Sequence, residues 1–518
     1  MSDPRVSFGL GVVTGADDAV LEALDRLRPV IRVGIDVDAR SATAVAGLYS
    51  MLIRLFPHTL FDGDAALGAN PWGATRLSDL LGLLAAARPT STREPDRELI
   101  IGVGADVSGA QLWMGGDDWT ADIGPGARAI RGGRFGLGLQ AAAAMIASEI
   151  AKVALGPLGM RHYPLGDGLV WNVADYRRRP ASDMPQHQTA ELDVLFFGTG
   201  SVGSSAAGIL ICTDELHGHA TLVDADTFDP TRNTYRYPTA LGTETGPKAT
   251  WIRDLLSARR WTADDVVGSA SDWVRSQPGP GFTGVVVSSV DRPDSRMQVA
   301  DAIAATTLSV GVDGLALHIQ REHVFDDFAC PYCDFVSLEP PMGQIDSLSE
   351  LLKLSPSRVA ELLLGGDRLS LADITIVVAA GRIHAERSEE LVGRRIEDLI
   401  RRTYAQISVP DVAGAPTAVS ATYVSWMGGV LVAAELTKAA LGLEMVDRRF
   451  DLDLSGVPLE GVRRRLRDAS GNCVCASPHR WRWATRLYGG RWNSTTNSGQ
   501  DSRPQPQIGQ PSTPAVGQ

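Results

Sequence analysis

The chain has 518 residues, of which 44% are hydrophobic and 21% charged, as in an ordinary globular protein of several domains. Its 49 lysines and arginines face 61 acidic residues, a net charge of −12 that argues against a nucleic-acid-binding protein. No segment has the roughly 20 uncharged apolar residues that span a bilayer, and the N-terminus lacks the order of a secretion signal. We therefore expect a cytoplasmic protein that binds neither nucleic acid nor membrane.

Short β-branched runs alternate with alanine- and leucine-rich helical stretches, which is typical of an α/β fold with a parallel-rich sheet. The last segment is rich in Gly, Ser, Pro, Gln and Asn, a composition that favours disorder. The predicted organisation is a degenerate α/β pseudo-domain 1–165, a connector 166–188, a nucleotide-binding domain 189–345, a helical insertion 346–408, the C-terminal part of the nucleotide-binding domain 409–482 and a disordered tail 483–518.

An internal echo supports the idea of two related α/β units. Residues 147–156 and 433–442 match in register, so that Glu149 and Lys152 correspond to Glu435 and Lys438. A Glu–Lys pair at this spacing lies on one helix face, and any surface helix can show it. We predict that residues 1–165 are a degenerate copy of the unit, because their loop 33–38 lacks glycine spacing suited to a phosphate.

The predicted nucleotide loop stands between a strand and a helix. Strand 192–197 leads into Gly198-Thr-Gly200-Ser-Val-Gly203, and the helical run 204–212 follows at once. Glycines allow a tight turn and close approach to a phosphate, and a helix N-terminus presents free N–H groups to negative charge. The next strand, 220–223, runs into Asp224, which is placed to bind a ribose hydroxyl. This much suits ATP, NAD or FAD equally.

The charges that follow favour a triphosphate over a redox dinucleotide. Asn233 and Arg236 come soon after the acidic segment Asp224–Asp226, then Lys248 in Gly246-Pro-Lys248, then Asp291 after the strand 284–290. Two cations can neutralise phosphate oxygens and a carboxylate can hold Mg²⁺. A nicotinamide or flavin ring has little use for that set.

These motifs resemble those of the ubiquitin-activating enzyme superfamily, which includes the ThiF and MoeB adenylyltransferases. The resemblance rests on the glycine loop, the Asp-x-Asp segment followed by Asn-x-x-Arg, the Gly-Pro-Lys turn and the later strand-terminal Asp. It implies a Rossmann-like, ThiF-type fold. It also implies ribose contact by Asp224, phosphate contact by Arg236 and Lys248, Mg²⁺ binding by Asp291, and a pocket shared by Asp226 and Asn233.

Four of the five cysteines form two close pairs, Cys330 with Cys333 and Cys473 with Cys475. The resemblance predicts cysteine pairs at both places, where four thiolates would hold a structural Zn²⁺. Family members commonly use Cys-x-x-Cys twice, whereas the second pair here is Cys-x-Cys. The alternative is a redox Cys-x-x-Cys and two unrelated thiols.

The remaining cysteine, Cys212, lies on an apolar helix and is expected to be a core residue. With the other four bound to zinc, the chain would then lack a thioester cysteine of its own. The basic run 177–179 is expected to be solvated, although in the family an upstream arginine can reach an ATP phosphate, often from the neighbouring half or subunit. That arrangement is compatible with a homodimer.

The sequence thus predicts ATP-dependent adenylation of a carboxylate, with ATP, Mg²⁺ and Zn²⁺ as cofactors. The expected partner is a ubiquitin-like or sulfur-carrier protein or a peptide with a free C-terminus, with a conjugating enzyme as a further partner. Two alternatives stay open: an NAD- or FAD-dependent oxidoreductase, and a non-catalytic adaptor that binds a modifier.

Overall fold

The computed structural model describes Arg5 and residues 17–495, except for 92, 132, 134, 161–167, 182–183, 185–188, 214, 280, 292, 324–328, 334–335, 337–343, 364–366, 381, 384–387, 397–398, 400–419, 447, 457–461, 464–465 and 469. The predicted α/β class is confirmed: the described residues form two large sheets whose flanking helices share one hydrophobic core.

The first sheet belongs to the N-terminal half. Its strands are β1 Leu27–Val33, β2 Leu60–Asp62, β3 Arg97–Val103, β4 Leu112–Gly116, β5 Thr120–Gly124 and β6 Leu169–Asn172. Their spatial order is β2-β1-β3-β4-β5-β6. Strands β1 to β4 pair in parallel, and β5 and β6 continue the sheet in antiparallel fashion.

The second sheet belongs to the C-terminal half. The strands of this half are β7 Ala190–Phe197, β8 Leu216–Asp224, β9 Thr227–Phe228, β10 Gly246–Pro247, β11 Trp261–Val267, β12 Phe282–Ser288, β13 Ala304–Asp313, β14 Ala316–His323, β15 Arg449–Asp453 and β16 Val462–Arg463. The sheet order is β11-β8-β7-β12-β13-β14-β15-β16, and β9 pairs with β10 apart from it. The first five strands in this order are parallel, which is the doubly wound arrangement of nucleotide-binding folds.

The helices of the described chain cover both sheets. They are α1 Asp17–Arg26, α2 Ala39–Ile53, α3 Leu80–Leu83, α4 Leu137–Leu155, α5 Ser201–Cys212, α6 Pro230–Asn233, α7 Lys248–Ser257, α8 Ala270–Ser276, α9 Pro293–Val299, α10 Gln344–Leu352, α11 Pro356–Leu363, α12 Leu371–Ala379, α13 Thr422–Ala440 and α14 Pro478–Thr495. Helices α10 to α12 lie largely in the segment 346–408 and enclose a small core of their own.

The two halves repeat one topology. In each, a central parallel strand leads through a helix to its neighbour, as β1-α2-β2 in the first half and β7-α5-β8 in the second. In each, a long helix connects the last two matching strands: α4 between β5 and β6, and α13 between β14 and β15. The echo seen in the sequence lies on these two long helices.

The echoed Glu–Lys pairs are buried where the two halves meet. The ammonium of Lys438 pairs with Glu435, and both residues are at most 2% exposed. Lys438 also donates to the carbonyl of Ala174, which follows the last strand of the opposite half, over 2.9 Å. The matching Lys152 pairs with Glu149 and donates in turn to the carbonyl of Gly456 at 3.4 Å. Each lysine therefore bonds the other half of the chain.

Replacing Lys438 with methionine is expected to lower the free energy of unfolding by about 3 kcal/mol, because it leaves the carboxylate of Glu435 buried without its cation. Urea titration measures the effect. The matched control is Lys353→Met, at an exposed lysine, which is expected to change stability little. Equal losses in the two variants would contradict a role for the buried pair in joining the halves.

One described helix, Leu137–Leu158, is long and apolar enough by length and composition to cross a membrane. In the structure 78% of its apolar window is buried inside the protein, and it carries the charged pair Glu149 and Lys152. Both features are typical of a core helix between two sheets.

Two stretches differ from the predicted organisation. The segment 166–188, predicted as a connector, contains β6, which pairs with β5 and completes the first sheet. The tail predicted as disordered from 483 onward is helical up to Thr495 as part of α14. There Ala484 and Tyr488 pack on Ile303, and this burial overrides the weak local propensity. The rest of the predicted tail, 496–518, lies outside the described residues.

Candidate nucleotide site and cysteine cluster

The glycine loop follows β7 and ends in the first turn of α5, as predicted. Gly198 has a φ of +91°, which a residue with a side chain rarely adopts. A Cβ on Gly203 would lie 2.4 Å from the carbonyl oxygen of Gly198, so only glycine fits there. A Cβ on Gly200 would meet only the hydroxyl of Tyr237, at 3.9 Å, among the residues described. The space over Gly200 is therefore open, as a phosphate requires.

Asp224 ties the end of β8 to this loop. One carboxylate oxygen accepts hydrogen bonds from the backbone N–H of Thr199 at 2.7 Å and from its hydroxyl at 3.0 Å. The other oxygen accepts from the N–H of Asp226 at 2.8 Å. A carboxylate has about four acceptor positions, so one acceptor position remains for the predicted bond from a ribose hydroxyl.

Lys248 begins α7 beside the same loop. Its ammonium pairs with Asp226 at 2.7 Å and lies 6.0 Å from the centre of the Tyr237 ring, and only 8% of the residue is exposed. Burial opposes the charge, but Tyr237 and the bond to Asp226 outweigh it and raise the pKa of Lys248. The lysine is thus a buried cation held in place by an exposed carboxylate.

The backbone of Arg236 lies next to the N-terminus of α5. The hydroxyl of Ser201, the first residue of that helix, donates to the backbone carbonyl of Arg236, and the side chain of Arg236 is half-buried. Asn233 is buried, and its amide oxygen accepts from the backbone N–H of Asp229 at 2.7 Å. The structure therefore gives Asn233 a role in shaping the turn that presents Arg236.

Asp291 is exposed just beyond the end of β12. Two residues earlier, the backbone N–H of Ser289 donates to the carbonyl of Phe197 at 3.0 Å and its hydroxyl donates to that of Gly198 at 2.8 Å. Since two residues span at most about 7 Å, Asp291 cannot be far from the glycine loop. An exposed carboxylate in this place suits Mg²⁺, which prefers one or two carboxylates together with phosphates and water.

The predicted nucleotide residues therefore gather at one edge of the second sheet. Parallel strands end on the same side, and β8, β7 and β12 are adjacent, so the acids and the glycine loop that follow them converge. From β7 the chain continues to β8, which lies on one side of β7 in the sheet, and later forms β12 on the other side of β7. Ligands of open α/β sheets bind in the crevice that such a reversal creates.

The four paired cysteines form a second constellation. Their sulfur atoms all lie within 4.8 Å of one another. The Sγ atom of Cys333 lies 3.7 Å from that of Cys330, 3.4 Å from that of Cys473 and 3.6 Å from that of Cys475. A tetrahedral Zn²⁺ with Zn–S bonds of about 2.3 Å places its sulfurs about 3.8 Å apart. The cluster is compatible with zinc. The Cys-x-Cys pair brings both of its sulfur atoms into the cluster, as the Cys-x-x-Cys pair does.

The thiols perturb one another strongly. Hydrogen bonding, first of all with Cys333, raises the pKa of Cys330, whereas bonding first of all with Cys330 lowers the pKa of Cys333. A thiolate is thus stabilised inside the cluster, and thiolates are what a metal ion binds. The cluster joins the segment after β14 to the turn before α14.

Two other sequence candidates lie outside both constellations. Cys212 is buried at the end of α5, where its thiol donates to the carbonyl of Gly208 at 3.1 Å, as expected of a core cysteine. The arginines 177–179 are exposed after β6, and Arg179 pairs with Asp175 of its own loop at 2.6 Å.

Sequence reasoning missed three side chains that shape the candidate nucleotide site. The hydroxyl of Thr199 binds Asp224, that of Ser289 binds Gly198, and Tyr237 packs under Lys248 at 2% exposure. Burial raises the pKa of Tyr237, so its hydroxyl is neutral and can donate. Thr199 lies within the predicted glycine loop and Ser289 within the predicted strand 284–290, whereas nothing local marks Tyr237.

No protein-family model matches the chain, and no curated protein matches it in sequence. Its fold is similar in part to that of solved structures of MccB from E. coli. The complex of MccB with MccA-N7isoASN has 13% identity and a TM-score of 0.33, and the match covers 55% of this chain and 67% of that one. MccB with ATP has 11% identity and a TM-score of 0.31, with the same coverage. PaaA has 14% identity and a TM-score of 0.28, over 53% of this chain and 62% of that one. These likenesses concern the fold alone.

Proposed function

We propose that the protein is an ATP-dependent adenylyltransferase of the ThiF and MoeB type that activates a carboxylate. The expected substrate is the C-terminus of a peptide or of a ubiquitin-like or sulfur-carrier protein, and the products are an acyl-adenylate and pyrophosphate. The observation that carries the proposal is an open glycine loop at a strand edge, with the buried cation Lys248 paired to the neighbouring Asp226 and the backbone of Arg236 bonded to Ser201 at the start of α5.

The proposed roles follow from this placement. The N–H groups at the start of α5 and the cations Arg236 and Lys248 would bind the phosphates. Asp224 would orient the ribose. Asp291 would hold Mg²⁺, which would spread the negative charge of the triphosphate.

The reaction itself needs little acid–base chemistry. An oxygen of the substrate carboxylate, already ionised near neutral pH, attacks the α-phosphorus of ATP. The bond between the α-phosphorus and the bridging oxygen breaks, and pyrophosphate leaves with the electron pair. The protein contributes position and fixed positive charge. A flat redox ring would gain nothing from two such cations.

The cysteine cluster belongs to the scaffold in this proposal. Zn²⁺ held by Cys330, Cys333, Cys473 and Cys475 would connect the strand before the helical insertion to the last helix, and a reducing cytoplasm would keep the thiols available. Since Cys212 is buried, the acyl group would pass to a thiol or amine of a partner.

The first test compares nucleotides on the intact protein. Calorimetry with Mg-ATP, NAD⁺ and FAD is expected to give the tightest binding for Mg-ATP, because only ATP offers three phosphates to the two cations. Tighter binding of NAD⁺ or FAD would overturn the proposal in favour of a redox enzyme.

The second test measures turnover. Exchange of labelled pyrophosphate into ATP is expected with peptides that end in a free carboxylate and not with the same peptides as C-terminal amides, since an amide cannot attack. Exchange that is equal for the two forms would contradict carboxylate adenylation. ATP binding without any exchange across a panel of peptides and carrier proteins would favour the adaptor.

A further inference from the structure

Arg54, at the end of α2 in the N-terminal half, is fully buried. Its Nε atom donates to the carbonyl of Thr234 at 2.9 Å and its Nη2 atom donates to the carbonyl of Ala240, both in the C-terminal half. It makes no ion pair with any carboxylate of the described chain. Burial, only partly offset by attraction to Glu244, lowers its pKa to about 9. A desolvated cation is thus held almost wholly by backbone carbonyls.

Two more donors of the N-terminal half reach the same segment. The hydroxyl of Ser50 donates to the carbonyl of Pro238, and the indole N–H of Trp72 donates to that carbonyl as well, over 3.0 Å. Arg54 also donates to the hydroxyl of Ser50 at 2.7 Å, so these groups form one network. All three residues are at most 3% exposed.

The carbonyls that accept these bonds belong to residues on both sides of Arg236 in the sequence. The network grips residues 234, 238 and 240, and the segment is joined to the glycine loop at Arg236 through the bond from Ser201. A guanidinium with its donors in a fixed fork can hold two carbonyls at a set separation, which a lysine cannot do. Replacing Arg54 leaves the buried carbonyls of Thr234 and Ala240 without these donors, and losing any donor of the network gives the segment more freedom to move.

We propose that Arg54, Ser50 and Trp72 form a clamp with which the N-terminal half positions Arg236 on the phosphates of the nucleotide. That the ligand is a nucleotide rests on the proposed function. The hydrogen bonds that hold residues 234–240 do not depend on it. The half that lacks a phosphate loop of its own thus supplies the support of the phosphate-binding segment. Arg54 is a positioning residue, since it touches carbonyls and not the nucleotide.

Two conservative variants test the clamp. Arg54→Lys keeps a buried cation but not the fork, and Trp72→Phe keeps an aromatic ring beside Trp426 but not the N–H. Without nucleotide, amide hydrogen exchange in residues 234–242 is expected to quicken at least fivefold in each variant, while strand β7 stays unchanged. The matched control is Arg32→Lys, because among the described residues Arg32 bonds within its own half, to Asp62 and Ser108.

Calorimetry then separates phosphate from nucleoside. The Kd for Mg-ATP is expected to rise about tenfold in Arg54→Lys and less in Trp72→Phe, while the Kd for adenosine stays within twofold of wild type. Adenosine lacks the phosphates that Arg236 would contact, so misplacing Arg236 should weaken the binding of ATP alone. A general loosening of the site would weaken the binding of both ligands.

Three outcomes would overturn the inference. The clamp fails if residues 234–242 exchange no faster in Arg54→Lys than in Arg32→Lys. The positioning role fails if ATP and adenosine weaken equally. Failure of the wild-type protein to bind Mg-ATP would overturn the proposed function and the phosphate part of the clamp, and hydrogen exchange would still decide whether the clamp exists.

Discussion

Replacing Asp291 with alanine is expected to lower the rate of ATP–pyrophosphate exchange about a thousandfold while leaving the fold intact. The loss is large because the proposed role of Asp291 is to hold the ion that shares the charge of the triphosphate, and such electrostatic stabilisation commonly supplies factors of this size. Stability should not change, since Asp291 is exposed and follows the end of β12. Radiolabelled pyrophosphate exchange and thermal melting measure the two effects.

Matched variants make this result specific. Glu191→Ala removes an exposed carboxylate from the opposite end of the adjacent strand β7, and its exchange rate should stay within twofold of wild type. Asp291→Asn keeps the shape but not the charge and should be nearly as inactive as Asp291→Ala. Near-normal exchange in a folded Asp291→Ala protein would remove Asp291 from the mechanism.

The sequence anticipates which residues of the candidate nucleotide site lie together, because its parts obey local rules. The glycine loop lies between a strand and a helix, and Asp224 and Asp291 each follow a strand, so strand order alone brings them to one edge. The positive φ of Gly198 and the close contact at Gly203 are requirements that a sequence expresses directly as glycine.

The clamp from the N-terminal half had no such signal. Arg54 lies at the end of an apolar helix, and its partners are backbone carbonyls of Thr234 and Ala240, which every residue type has. Only the packing of the two halves reveals that this arginine is buried. The matching Glu–Lys pairs in the sequence indicated two related halves. They did not indicate that each lysine donates a hydrogen bond to a backbone carbonyl of the opposite half.

The end of the fold was mispredicted for a similar reason. The tail predicted as disordered begins at 483, yet the hydroxyl of Tyr488 lies within hydrogen-bond distance of the carbonyls of Phe282 and Ile303, at 2.9 and 2.7 Å, and can donate its one proton to either. These contacts anchor α14 to the second sheet. The cysteine turn directly before α14 adds a second anchor, whose partners Cys330 and Cys333 lie far away in the chain.

Loss of that second anchor is expected to have the largest effect on stability. Wild-type protein prepared under reducing conditions should contain about one Zn²⁺ per chain, and Cys330→Ser should contain none, since three thiolates do not complete the site. Binding to a four-thiolate site contributes of the order of 10 kcal/mol to folding in small zinc domains. Here other contacts also hold the segments, so we expect Cys330→Ser to lower the free energy of unfolding by about 5 kcal/mol.

The matched control is Cys212→Ser, which changes a buried cysteine outside the cluster and should keep the zinc. A chelator should lower the melting temperature of the wild type and of Cys212→Ser, but not of Cys330→Ser, which has no ion to lose. Hydrogen exchange should quicken in α14 of the chelated wild type, because the cluster connects this helix to the segment after β14. The opposite result would be a wild-type protein that contains no metal, keeps its melting temperature in chelator and has a disulfide between Cys330 and Cys333. That result would make the first cysteine pair a redox centre and leave Tyr488 as the anchor of the last helix.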